Sequence, residues 1–172
     1  MNYKPNKFGY FSLSYKEMIE FPIETLKFKN DIIIYRLDYN QLTSIPPEIG
    51  QFTQLEELWL DCNQLTSLPK EIGQLTNLIV LTLDNNLLRN LPKEIGDLYN
   101  LESLSLFNNT LISLPPEIGH LTNLTVLIIT RNSIQELPKE IDYLYNIEKL
   151  YIDEYLIDQI PAHISSKAKI FH

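Results

Sequence analysis

Cysteine is almost absent. Cys62 stands alone in 172 residues, so no disulfide can form within the chain. A lone thiol suits a reducing compartment, and a cytoplasmic setting is the expectation. Long apolar runs are missing too, and no stretch is long enough to cross a bilayer. The opening "MNYKPNKFGYFSLSYKEM" has no continuous apolar run and no small-residue cleavage pattern, so it does not read as a signal peptide. Secretion, or delivery into a host cell, is the alternative setting and needs a route without one. Basic charge is scarce: 14 Lys and Arg against 22 Asp and Glu leave a net charge of −8. Nucleic-acid backbones and anionic membrane surfaces are therefore poor partners, and a basic protein surface is an easier one. Acidity also serves plain solubility. No P-loop, dinucleotide-binding glycine pattern or metal-ligand spacing is present, so no cofactor and no metal are expected.

What is present is repetition. "IPPEIGQFTQL" (45–55), "LPKEIGQLTNL" (68–78), "LPKEIGDLYNL" (91–101), "LPPEIGHLTNL" (114–124) and "LPKEIDYLYNI" (137–147) begin 23 residues apart. A fixed period of this length signals stacked units, each unable to bury its leucines alone. Five regular repeats fill 32–146, and 147–172 forms a degenerate last repeat and C-terminal cap, with Tyr155 where asparagine is expected and Ser165 where glycine is. Residues 1–31 read as a degenerate N-terminal cap whose frame needs one extra residue. Phe8, Phe11, Leu13, Met18, Phe21 and Pro22 then take the apolar and proline positions. In the same cap "SYKE" (14–17) offers a competing capping box for a short helix ending before Pro22. Beyond the last repeat, Ile170 and Phe171 are available to fold over the terminal core.

Within each unit, "LWL" and "LTL" alternate as a strand with one buried and one open face. Parallel strands need a return crossover, which the remaining residues supply. Asn40, Asn63, Asn86, Asn109 and Asn132 recur at the strand exits, where an inward-turned amide must be hydrogen-bonded. Pro69 and its equivalents fix φ and remove a donor as the chain leaves the turn, and Ile72 and Leu75 insert from the convex side. Gly50, Gly73, Gly96 and Gly119 recur where a left-handed or crowded backbone is expected; Asp142 breaks that series.

The pattern L-x-x-L-x-L-x-x-N-x-L, as in "LEELWLDCNQL" (55–65), resembles the leucine-rich repeat family over about residues 32–160. The half L-P-x-E-I-G-x-L-x-x resembles intracellular Ras-suppressor-type and bacterial, leptospiral-like members. The resemblance implies one domain over 1–172, an α/β-type solenoid: an arc with a concave parallel β-sheet and an irregular or short-helical convex side. It also implies that the bacterial ubiquitin ligases of this family keep their catalytic cysteine in a separate domain, for which this chain has no counterpart.

Repeated residues build the frame, so function is sought where repeats differ. On the open face one variable column reads Arg36, Trp59, Thr82, Ser105, Ile128, Tyr151. Beside it run Asp38, Asp61, Asp84, Phe107, Thr130, Asp153, and on the other side Ile34, Glu57, Val80, Ser103, Val126, Lys149. Such variety on a constant frame is what a binding surface looks like, although drift on a solvated face looks similar. Trp59 has no core role there, and exposed apolar area around an aromatic marks an interaction site. The candidate partner-binding residues are Arg36, Asp38, Glu57, Trp59, Asp61, Val80, Thr82, Asp84, Ser105, Phe107, Ile128, Thr130 and Tyr151. Asp38, Asp61 and Asp84 lie on successive strands, and like charges opposed across a ladder destabilise it. The column is an ordinary family feature, or is relieved by a basic partner, or by a cation; calcium wants roughly six oxygens and no second arm of ligands is visible.

Catalysis finds little support. His120, His163 and His172 share no repeat column with Cys62, so no Cys–His pair is legible. "NNT" (108–110) and "NLT" (123–125) match the glycosylation sequon by form alone. The expected function is a non-enzymatic protein-protein interaction module using its concave sheet. The alternatives are a self-associating module forming a homodimer through the same face, and an effector or accessory subunit of an enzyme encoded elsewhere.

Overall fold

Alternation in the short apolar stretches becomes a stack of three-residue strands. A computed structural model describes residues 4–172. Its strands are β1 (Tyr10–Ser12), β2 (Ile34–Arg36), β3 (Glu57–Trp59), β4 (Val80–Thr82), β5 (Ser103–Ser105), β6 (Val126–Ile128), β7 (Lys149–Tyr151) and β8 (Lys169–Phe171). They pair in chain order as one parallel eight-stranded sheet. From β2 to β7 every register step is one repeat, aligning Arg36, Trp59, Thr82, Ser105, Ile128 and Tyr151 across the face. Phe11 pairs with Tyr35, which is the extra residue expected in the first coil.

The return path is a short 3-10 turn in each coil: Pro47–Gln51, Lys70–Gln74, Lys93–Asp97, Pro116–His120 and Lys139–Tyr143. A proline precedes each turn in extended geometry; its missing N–H is no loss at a turn start, while its carbonyl accepts, as Pro69 does from the Ile72 amide at 3.1 Å. Ile72 and Leu75 are fully buried, with the strand leucines, in one continuous core. No helix among the described residues is long and apolar enough to cross a membrane.

Glycine answers half of its expectation. None of the four repeat glycines has a positive φ; the left-handed column is instead Tyr39, Cys62, Asn85, Asn108 and Arg131, with φ of 53–57°. Crowding is the reason for glycine. A Cβ on Gly50, Gly73, Gly96 or Gly119 would sit 2.5–2.9 Å from the backbone oxygen of Glu71, Glu94, Glu117 or Glu140 in the next coil. Asp142 escapes this because the following coil replaces its turn by Glu154–Gln159 and a short helix, α1 (Ala162–Ser165).

The ends decide between the two readings of residues 14–17 and adjust two further expectations. Residues 14–17 form no helix: Tyr15 and Glu17 are left-handed, and the amides of Lys16 and Met18 donate to Asn40 Oδ1 at 3.0 and 3.1 Å, so the repeat frame prevails. Phe8 takes no core position and is 70% exposed, because the turn at Asn6–Gly9 carries it outside β1; Phe11, Leu13 and Phe21 are buried as expected. Ile170 packs against the terminal core as expected, but it does so as part of an added strand, β8, whose Phe171 stays exposed. An aromatic cluster of Phe11, Phe21, Phe28, Tyr35 and Phe52 fills the first coils. The Tyr35 hydroxyl meets Thr25 Oγ1 at 2.8 Å, and burial raises its pKa.

Candidate functional site

Two ladders hold the sheet, and both bear on what its open face can do. In the first, each asparagine faces inward. Asn86 Nδ2 donates to Leu60 O and Leu83 O, both at 3.0 Å, while its Oδ1 accepts from the Leu65 amide at 3.0 Å. Asn40, Asn63, Asn109 and Asn132 make equivalent bonds. The column therefore positions backbone and offers nothing to a ligand. A second ladder at the strand entries escaped the sequence reading: Asn77, Asn100, Asn123 and Asn146 each donate to a carbonyl one coil back, of Thr53, Thr76, Tyr99 and Thr122. Its signal was the recurring "TNL" and "YNL".

The aspartate column is the functional candidate most changed by the structure. Asp38 is 1% exposed, bridged by Arg36 through two bonds of 2.9 Å and by the Ser14 hydroxyl at 2.7 Å. Asp61 accepts from Thr82 Oγ1 at 2.7 Å and from the Asp84 amide at 2.8 Å. Asp84 accepts through Oδ1 from Ser105 Oγ and, at 2.8 Å, from the Phe107 amide. Relief of the like charges thus comes largely from within the chain, by a hydroxyl and an amide of the next coil. Burial pushes the carboxyls of Asp61 and Asp84 above their ordinary range, against the pull of those donors; Asp84 and Asp38 add to the rise at Asp61. Thr82 and Ser105, 9% and 5% exposed, are drawn down into the same network.

What remains open is aromatic and aliphatic. Trp59 is half-buried on the face rather than fully exposed. The Arg36 guanidinium lies 5.0 Å from its ring centroid, and its Nε1 donates to Glu57 Oε2 at 2.9 Å. Arg36 is thereby held on two sides, and its pKa is raised first by the bond to Asp38. A similar clamp lies three coils on, where Arg131 covers Phe107 at 5.1 Å. Arg131 was not among the candidates because it belongs to the left-handed rim rather than to a face column. Tyr151 stacks on Phe171 at 4.4 Å. Val80, Ile128 and Thr130 lie half-buried between these groups.

Cys62 sits half-buried on the left-handed rim, next to Tyr39, which stacks on Tyr15 at 4.3 Å. Charge interaction with Cys62, with help from Tyr15, pushes Tyr39 up to about 12. His120 ends a convex turn and His163 lies in α1, its Nδ1 3.8 Å from Asp142 Oδ1. Neither histidine shares a neighbourhood with Cys62. Among the described residues, no group of three or more His, Cys, Asp or Glu is placed to hold a metal ion. A cavity of about 590 Å³ lies at the first coil between Lys4, Phe8, Phe28 and Ile33, away from the sheet face.

The leucine rich repeat family model matches residues 53–111. A leucine-rich-repeat protein of Leptospira interrogans is 34% identical with a TM-score of 0.74, over 94% of this chain and 50% of its own. The chain has the leucine-rich-repeat fold. The ectodomain of the plant membrane receptor kinase GASSHO1/SCHENGEN3 from Arabidopsis thaliana, solved in complex with Casparian strip integrity factor 2, is 34% identical with a TM-score of 0.73, over 88% of this chain and 19% of its own. An internalin of Listeria monocytogenes shares the fold at 23% identity and a TM-score of 0.71, over 83% of this chain and 40% of its own. This leucine-rich-repeat chain therefore spans half or less of each of these structures. No curated protein sequence matches it.

Proposed function

We propose that this leucine-rich-repeat chain is a non-enzymatic module that binds a protein partner through its concave sheet. One observation carries the proposal. Trp59, on an otherwise small-featured stretch of sheet, is held in place by Arg36 and Glu57 before any partner arrives. An aromatic already ordered loses little entropy on binding, and aromatics ringed by polar groups dominate interface energetics. Similar proteins support it: the plant receptor ectodomain was solved with a protein factor bound. A cytoplasmic setting suits the lone thiol.

The test is affinity capture of a partner, followed by titration of variants. Trp59→Ala should weaken binding by roughly 2 kcal/mol or more, about thirtyfold, with the circular dichroism spectrum unchanged. Lys70→Ala on a convex turn should leave affinity as it was. If the convex change weakens binding and Trp59→Ala does not, the site is on another face.

A further inference from the structure

The open face is not evenly charged. On β2 to β4 it presents Glu57, Asp61 and Asp84, while Arg36, the one cation there, is already engaged by the buried Asp38. On β6 to β8 it presents Lys149, Lys169 and the rim residue Arg131 against Asp153 and the next rim residue, Glu154. Lys149 and Lys169 are register partners, so two lysines stand on neighbouring strands at that end. Asp153 is occupied by the amides of Arg131 and Asn132, at 2.9 and 3.3 Å. The strand-entry rim carries Glu56, Glu102 and Glu148, one acid every second coil, and so adds charge without adding a gradient. Between the two ends the face carries no ionisable group: Ser103, Ser105 and Phe107 on β5 and its exit, with Val80 and Val126 flanking them.

We infer that the concave face takes a bipolar segment of a partner protein, lying across the strands, with basic side chains over β3 and β4, an apolar middle, and acidic side chains over β7 and β8. This rests on the concave face being the binding face. The acidic end can receive a cation without displacing anything, because Asp84 Oδ2 accepts no bond among the described residues while its Oδ1 holds two. A guanidinium or ammonium group there restores charge balance to carboxylates that now face one another along the column. At the other end, carboxylates relieve the repulsion between Lys149 and Lys169 in the same way. Four strand spacings separate β3 from β7, about 19 Å, which an extended chain covers in about six residues. A uniformly basic segment meets Lys149 and Lys169 unfavourably, and a uniformly acidic one meets Glu57, Asp61 and Asp84, so both are selected against.

Peptide display on the intact chain tests this directly, with an unbiased library of ten-residue segments as the probe. Binders whose affinity falls at least tenfold on Trp59→Ala are the face-dependent set. These should carry basic residues at one end and acidic residues at the other. They should lose tenfold or more against the charge-inverted variant Lys149→Glu, Lys169→Glu, whose two changes are on exposed side chains away from Trp59 and whose fold is checked by circular dichroism. Face-dependent binders with no charge order, or with equal affinity for the inverted variant, overturn the bipolar segment while leaving the concave face standing. A display yielding no binder sensitive to Trp59→Ala overturns both. Concentration-dependent dimerisation that the charge inversion abolishes assigns the face to a second copy of the chain, and also overturns the claim.

Discussion

Replacing Asn86 by alanine removes one rung of the buried ladder, and the structure says which part of the loss matters. Asn86 is 4% exposed. Its Nδ2 bonds go to Leu60 O and Leu83 O, but those carbonyls also accept from Asn63 and Asn109, so each keeps a donor. The Leu65 amide is different, since Asn86 Oδ1 is its acceptor and no other is present among the described residues. An orphaned buried N–H costs about 1–3 kcal/mol, and two weakened carbonyls add somewhat less than one ordinary bond each, so a loss of about 2–3 kcal/mol follows. For a domain of this size that is a fall in Tm on the order of 4–12 °C. Asn77→Ala is the matched control: its Nδ2 donates to Thr53 O at 2.9 Å in an exposed setting, where water replaces it, so a loss under about 0.5 kcal/mol is expected. Urea denaturation of both variants gives the comparison. Equal midpoints for Asn86→Ala and Asn77→Ala would refute the idea that the inward column secures the stack through its acceptor oxygens.

Arg36→Ala strands the Asp38 carboxylate with only the Ser14 hydroxyl, and should destabilise by about 2–3 kcal/mol; adding Asp38→Asn should recover part of that in a double-mutant cycle. Asp61 and Asp84 titrate above their ordinary value near 3.8 in the folded state, so the fold binds their protons more tightly than the unfolded chain does. Their contribution to stability is full below that value and is lost as pH rises through the raised pKa. Asp61→Asn with Asp84→Asn should therefore flatten that part of the decline, seen as a smaller difference in urea midpoint between pH 4 and pH 7 than in the parent. Gly119→Ala places a Cβ 2.5 Å from Glu140 O and should lose about 1–3 kcal/mol by overpacking, whereas Asp142→Ala, beyond the tight stack, should change the urea midpoint little.

Periodicity made the frame legible before any coordinates. The strand positions, the inward asparagines and the convex Ile72 and Leu75 all follow from which residues recur, because identical units must bury identical faces. Side-chain depth on the open face was less legible. Asp38, Thr82 and Ser105 read as face residues and do lie in face columns, yet they are pulled below the surface by Arg36, Asp61 and Asp84. The Asp61–Thr82 and Asp84–Ser105 bonds join side chains one coil apart, and Arg36–Asp38 joins two neighbouring columns of one coil, relations that a single column read from the repeat does not display. The backbone at Cys62 was opaque for another reason. The left-handed position is filled by Tyr39, Cys62, Asn85, Asn108 and Arg131, so no single residue type marks it, and the glycines that attracted attention answer to crowding instead.

The break at Asp142 has a consequence for how the molecule opens. Up to Glu140 each turn nests against the next through a glycine, and each asparagine ties its coil to the one before. After Asn132 the inward asparagine column stops, since Tyr155 is exposed, and the turn at Lys139–Tyr143 meets His163 rather than another nested turn. The last coil is therefore joined to the rest by β7, Ile152, Leu156 and Ile164, with Asp153 and Gln159 accepting the Arg131, Asn132 and Leu137 amides where no asparagine is present. Amide hydrogen exchange should show it as a separate cooperative unit, with protection stepping down beyond about residue 150 while the central coils exchange together near the global limit.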